Sequence, residues 1–241
     1  MATQSLSMSN AAHAEQPGPL RPIARENLSE RAYRALRSAL MLSHLRPGEK
    51  LQLRPLAAQL GISLTPVREA LLRLVSEQAL QMDERGTVVV PVIGRERFLE
   101  IRRLRCQLEG EAAAAAAAHA TPDAIAALAA IHERMQDAEA AGDFAAAVQA
   151  NEQFHFGLCR LARMPVLLGL VELLWMQCGP LLSQLYAEAP PYNGHRDALD
   201  GLRRGDAEAV RRAMVRDIEE GGRPLLAVLG AALPRSGPGP S

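Results

Sequence analysis

Asn151 and His155 stand four residues apart, which puts them on one face of a helix, and the flanking Phe154 and Phe156 place that stretch in an apolar interior. A buried imidazole beside a buried amide needs partners. His195 and Asp217 fall on the last two predicted helices, and each can face the same cavity. An amide carbonyl, two imidazoles and a carboxylate form a donor set for a divalent ion such as Zn, Ni or Mn. Taken singly, His155 also reads as a satisfied core histidine and His195 as a solvated loop residue near Pro190-Pro191. Arg105 brings a planar charged fork into an apolar helix. It either anchors a small carboxylate or pairs internally with Glu109 at i+4. His13, His44, His119 and His132 match no pattern and read as surface residues. Cys106 and Cys159 read as small core residues. The sequence displays no nucleophile–base pair and no phosphate loop, so it does not read as an enzyme.

A second constellation is polar and exposed in character. Ser63, Leu64, Thr65 and Arg68 open a helix directly after the tight turn Gly61-Ile62-Ser63. The second helix of a helix-turn-helix offers its N-terminal side chains to bases in the major groove. Arg68, one turn in, suits a guanine O6/N7 pair, and Thr65 can bond a phosphate at the helix N-terminus. Further on, Arg85-Gly86 forms the tip of a hairpin that can approach the minor groove or backbone. A lone basic helix would read as a solvated face. Turn, cap and hairpin in register read as DNA recognition.

The elements that must hold these residues follow from periodicity. Residues 27–94 predict a helix carrying Tyr33, Leu36 and Leu40, capped by Asn27 or Ser29. A short helix follows with Leu53, Leu56, Ala57 and Leu60, then a third from about Thr65 to Gln78. Two β-prone runs, Leu80–Asp83 and Thr87–Val92, close the unit as a hairpin. Together these make a winged helix-turn-helix. Residues 95–230 predict six helices at 96–120, 123–141, 143–163, 165–188, 193–204 and 206–229, packed as an antiparallel bundle. Asp143 and Asp206 are N-cap candidates, and the run Ala112–Ala118 reads as a tightly packed helix. Residues 1–26 and 231–241 read as disordered tails. The fold class expected is thus mainly α: winged head, then all-α bundle.

Composition supports this division. The 241 residues carry 27 basic and 27 acidic side chains, a balance that by itself disfavours a nucleic-acid binder. Counted by unit, residues 27–94 are +3 and residues 95–230 are −4. The whole-chain balance hides a basic head on an acidic bundle. Three cysteines without CxxC spacing point to a reducing cytosol. The N-terminus lacks a signal-peptide pattern. The apolar stretch from Met164 to Leu185 is interrupted by Glu172, Gln177, Gly179, Pro180 and Gln184, and reads as a buried bundle helix kinked at Gly179-Pro180 rather than a membrane span.

Several strings carry a resemblance. Pro47-Gly48-Glu49-Lys50-Leu51, Leu60-Gly61-Ile62-Ser63 and Thr65-Pro66-Val67-Arg68-Glu69-Ala70-Leu71 resemble the GntR family of bacterial transcription regulators. That resemblance implies binding as a homodimer to a palindromic double-stranded operator, with Arg54, Ser63, Thr65, Arg68 and Gly86 as DNA contacts. It also implies one departure: where the family usually has Arg, this chain has Leu64, which removes one expected base or phosphate contact. Arg105-x-x-Leu108-Glu109, Asn151-x-x-Phe154-His155, His195-x-x-x-Leu199 and Ala213-Met214-x-x-Asp217 resemble the FCD ligand-binding domain of the FadR subfamily, nearer its VanR-like branch. The family's metal-binding members typically use Asp, His, His, His. Here Asn151 stands for the Asp and Asp217 for the last His, so the ligand charge stays at −1. The resemblance favours a metal at Asn151, His155, His195 and Asp217, a small carboxylate effector near Arg105, and a cytoplasmic repressor. A metal-dependent enzyme and a metal-free acyl-CoA-type sensor are the competing readings.

Overall fold

The computed structural model describes residues 28–188 and 194–231. The two expected tails lie outside those residues except for Ala231, as do the Asn27 cap and Pro190-Pro191. The head opens with α1 (Leu28–Met41), which buries Ala32, Tyr33, Leu36, Leu40 and Met41 along one stripe. Then come α2 (Leu53–Leu60) and α3 (Leu64–Ser76). Gly61 separates them in the left-handed region at φ 65°, where a Cβ would be strained, and the Gly61 and Ile62 N–H groups cap the end of α2. Pro66, Val67, Ala70, Leu71 and Leu74 bury the inner face of α3.

The wing is a three-stranded antiparallel sheet ordered β1 (Lys50–Leu51), β3 (Val88–Val89), β2 (Gln81–Met82), with Leu51 and Met82 both opposite Val88. The hairpin is the predicted one. The strand β1 is an addition: two residues cannot show an alternating pattern, and their extended form comes from pairing with β3. Asp83 fixes the turn, accepting from the Arg85 and Thr87 N–H groups at 3.0 and 2.8 Å.

The bundle contains α4 (Arg95–Ala117), α5 (Pro122–Ala141), α6 (Phe144–Leu161), α7 (Pro165–Glu188), α8 (His195–Arg204), α9 (Ala207–Gly221) and α10 (Arg223–Ala231). Thr121, Asp143 and Asp206 each accept a backbone N–H as N-caps. The expected helix 206–229 is broken into α9 and α10. Gly222 sits where a Cβ would press on Arg102 and the Ile218 carbonyl at 3.1 Å, and Pro224 lacks the N–H that an uninterrupted helix would use. The alanine run packs tightly: Ala112, Ala113 and Ala116 are fully buried, and a Cβ on neighbouring Gly110 would fall 2.9 Å from Val215 of α9. By length and composition α7 could cross a membrane, yet half of that stretch is buried against the rest of the protein. Helix α7 runs unbroken through the expected kink at Pro180.

Head and bundle meet along α1 and α7. A Cβ on Gly179 would lie 2.8 Å from the Met41 Cα, so only glycine permits this approach. Arg37 pairs with Glu172 at 2.5 Å, and the Ser43 hydroxyl donates to the Gly179 carbonyl. From α4, Arg97 donates to Gln177 of α7 at 2.9 Å and to the Gln78 carbonyl of the head at 3.2 Å.

Candidate functional site

Two sites emerge, one on each unit. On the head, Ser63 is the N-cap of α3, and Leu64, Thr65 and Arg68 follow along its exposed side. Arg54 is exposed on α2. Gly86, at φ 75°, forms the exposed wing turn, and together with Arg68, Leu72 and Met82 it lines one cleft between α3 and the wing. The five expected DNA contacts therefore lie on the recognition helix, the preceding helix and the wing tip. Arg68 has no ion pair among the described residues. Arg73 is different: it pairs with Glu30 at 2.8 Å and Glu77 at 3.1 Å and lies over the Tyr33 ring at 3.5 Å. Arg73 ties α3 to α1, whereas Arg68 makes no such tie.

The bundle site is buried. Its hub is Glu109 of α4, the i+4 neighbour of Arg105. Its two oxygens accept from Arg105 Nε at 2.6 Å, Trp175 Nε1 at 3.1 Å and His155 Nδ1 at 2.6 Å. Burial pushes the Glu109 carboxyl up, but Arg105 and His155 overcome it and hold it at about 2. Of the two roles open to Arg105, the structure contains the internal ion pair. Its guanidinium also lies 4.1 Å over the Trp175 ring, and Nη1 reaches Cys178 Sγ at 3.7 Å.

From this hub His155 extends Nε2 to Asp217 Oδ2 at 3.2 Å and to His195 Nε2 at 3.4 Å, while His195 Nε2 is 3.8 Å from Asp217 Oδ2. Ligands about 2.1 Å from a tetrahedral metal stand about 3.4 Å apart. The three donor atoms stand at spacings compatible with three ligands of such an ion, and Glu109 would then be the outer carboxylate that fixes the His155 imidazole. These residues fit a divalent ion. His195 is set by a flat stack on Phe154, centroids 3.9 Å apart, and the Gly194 N–H holds Asp217 Oδ1 at 2.8 Å. Burial lowers the pKa of His155, but the flanking carboxylates of Glu109 and Asp217 reverse this and raise it. Burial, outweighing Asp217, drives His195 down to about 3 and keeps it neutral. Asn151, Arg105, His155 and Asp217 meet around a cavity of about 60 Å³ walled by Met135, Leu182 and Ile218. Of the four expected metal residues, His155, His195 and Asp217 bring ligand atoms within 4.8 Å of one another, and Asn151 lines the adjoining cavity with His155 and Asp217.

One histidine overturns its sequence reading. His44 is exposed and His119 half-buried, while His13 lies outside the described residues. His132, expected at the surface, is only 5% exposed. It sits on α5 edge-on to His195 (centroids 5.8 Å apart), and neither ring nitrogen has a hydrogen-bond partner among the described residues. Leu128, His132 and Met135 are spaced as a buried helical stripe, which is the signal that could have found it. Cys159 is buried as expected, Cys106 is half-buried, and all three cysteines are free thiols.

Comparison with known proteins agrees with this two-part organisation. Residues 28–90 match the model for bacterial regulatory proteins of the gntR family, and residues 100–220 match the FCD domain. The HTH-type transcriptional regulator McbR of Escherichia coli K12 is 35% identical over 191 residues, spanning 77% of this chain and 86% of that protein. The Nta operon transcriptional regulator of Aminobacter aminovorans is 34% identical over 131 residues, 54% of this chain and 61% of the relative. The solved structure of E. coli McbR/YncC superposes with a TM-score of 0.75 at 32% identity, covering 86% of this chain and 99% of that one. A Rhodococcus sp. RHA1 structure shares the fold at TM-score 0.68 and 21% identity, covering 86% and 99%. The relatives named here are transcriptional regulators, not enzymes, and this chain belongs to the GntR family of bacterial transcription regulators, with a DNA-binding winged helix-turn-helix head and an FCD domain.

Proposed function

We propose that this regulator senses a small organic acid beside a divalent metal held by His155, His195 and Asp217, with Asn151 as a further donor, and that binding changes its hold on DNA. The observation that carries this reading is the near-tetrahedral spacing of the three buried donor atoms, backed by Glu109 on His155. Charge supports the acid. Arg105 offsets one of the two buried carboxylates, Glu109 and Asp217. His155 must release its Nε2 proton to ligate a divalent cation, and the loaded cluster then carries one excess positive charge. A monoanion cancels it in an apolar cavity where an uncancelled charge is costly. The bound ion would supply a Lewis-acidic site that orients a carboxylate, and the cavity's size restricts the acid to a small one unless the helices part. Arg105 lines the same cavity and adds a cationic wall.

Helix α7 supplies the route to the head. Trp175 donates to Glu109, Cys178 accepts from Arg105, and Gly179, one residue later, packs on α1. A ligand that shifts α7 by a fraction of an ångström changes how α1 seats, and with it the posture of α3. The head would act in a cytoplasmic homodimer on a palindromic operator, as a repressor. Metal analysis of the purified chain checks the first step: about one ion per chain, lost in both His155→Ala and Asp217→Ala, is expected. A folded native chain that takes up no divalent metal would refute the metal site and favour a metal-free sensor. Gel shifts with and without small carboxylates check the second step.

A further inference from the structure

We infer that Leu64 is a base-reading residue, and that it selects thymine through the 5-methyl group. Leu64 is the first residue of α3 and is 40% exposed, although a leucine there has every reason to be covered. It shares one outward row with Arg68 and Leu72 at i, i+4 and i+8. None of the three is buried against the head, whose core takes Val67, Ala70, Leu71 and Leu74 from the opposite side. A recognition helix offers its first turn to base edges in the major groove. In that groove the one apolar feature of a base pair is the thymine methyl, and the other features are hydrogen-bonding groups that a leucine leaves unmet. An apolar side chain at this place therefore favours thymine and disfavours the polar edges of guanine, cytosine and adenine. Four residues of helix rise about 6 Å and successive base pairs about 3.4 Å, so the thymine lies within about two base pairs of the base read by Arg68. Arg68, without an ion pair among the described residues, takes a guanine.

The inference rests on α3 being the DNA-reading helix, and the test separates the two. The full-length protein is used to select binding sites from random duplexes. Half-sites are expected to show a thymine within two base pairs of the guanine whose preference disappears in Arg68→Ala. Replacing that thymine by deoxyuridine removes one methyl and is expected to weaken native binding about fourfold. The Leu64→Ala chain should bind both duplexes alike, and Leu64→Arg should move the preference at that position from thymine to guanine. Because Leu64 lies at the surface, equal melting temperatures for the variants are expected. Selective binding with no base preference at the position, or an equal deoxyuridine penalty in native and Leu64→Ala chains, overturns the assignment of Leu64 alone. Absence of any sequence-selective binding by the native chain overturns the reading of α3 as well.

Discussion

The two sites use charge in opposite ways. On the head, Arg68, Arg54 and the wing tip stand in solvent, and neither arginine has an ion pair among the described residues. In the bundle, Arg105, Glu109, His155 and Asp217 stand out of water, and each is already held by another. An exposed functional residue can be removed with little effect on folding, because water replaces its interactions. A buried cluster cannot lose one member without stranding the rest. In this chain, recognition of DNA should be separable from stability, and recognition of the effector should not be.

The largest effect expected from that contrast is at Glu109. Glu109→Ala leaves Arg105 and His155 buried without their shared carboxylate, and the loss of stability should be about 3–5 kcal/mol. Urea denaturation followed by circular dichroism measures it; a loss below about 1 kcal/mol would mean the cluster is better hydrated than its burial implies. Next is the join between the units. Gly179→Ala drives a methyl into the α1 backbone and should cost about 1–3 kcal/mol through overpacking, with weakened control of the head by the bundle. Unchanged stability there would show that α1 and α7 are free to slide apart. On the head, Arg68→Ala should weaken specific DNA binding by about 1–3 kcal/mol while leaving the denaturation midpoint unmoved. A shift in that midpoint would break the contrast between the two regions.

A smaller effect concerns protons. The pKa of His155 is raised because Glu109 and Asp217 face it, so in the metal-free protein it holds its proton to higher pH than an ordinary histidine. A metal must displace that proton. Affinity for zinc should therefore climb with pH, by about tenfold per unit below the raised pKa, and level off above it. Competition with a chromophoric chelator from pH 6 to 9 measures the slope. A flat profile would mean that His155 is not a ligand.

How far the sequence disclosed these regions follows the same divide. The head was legible almost residue by residue. Its helices are amphipathic with one face in water, so periodicity separates core from surface, and Gly61, Ser63 and Gly86 mark the turns. Only β1 escaped, since two residues take their form from β3 rather than from a pattern of their own. The bundle was legible as helices and boundaries, with Gly221-Gly222 and Pro224 underestimated as a break. Its chemistry was harder. Helix α4 is rich in charge yet buries Arg105 and Glu109, and a sequence does not distinguish a carboxylate facing water from one satisfied by three internal donors. His155, His195 and Asp217 come together from three helices, while Asn151 lines the cavity beside them. His132 did not stand out, because it stands between Ile131 and Glu133 in a helix where Asp123, Glu133, Arg134 and Asp137 are all exposed.

His132 also gives the finest test of the comparison. It belongs to the buried region by location but to the unpaired class by bonding, with both ring nitrogens lacking partners among the described residues and burial lowering its pKa. A buried polar group without a partner costs stability, whereas an apolar group of similar size there would not. His132→Leu in the metal-free protein should be as stable as the native chain or slightly more so, by about 0–1 kcal/mol, in contrast to the severe loss at Glu109 one helix away. Its melting temperature, measured with chelator present, decides the matter. A loss of 2 kcal/mol or more would mean that His132 has a bonding partner in solution, and that the buried cluster extends onto α5.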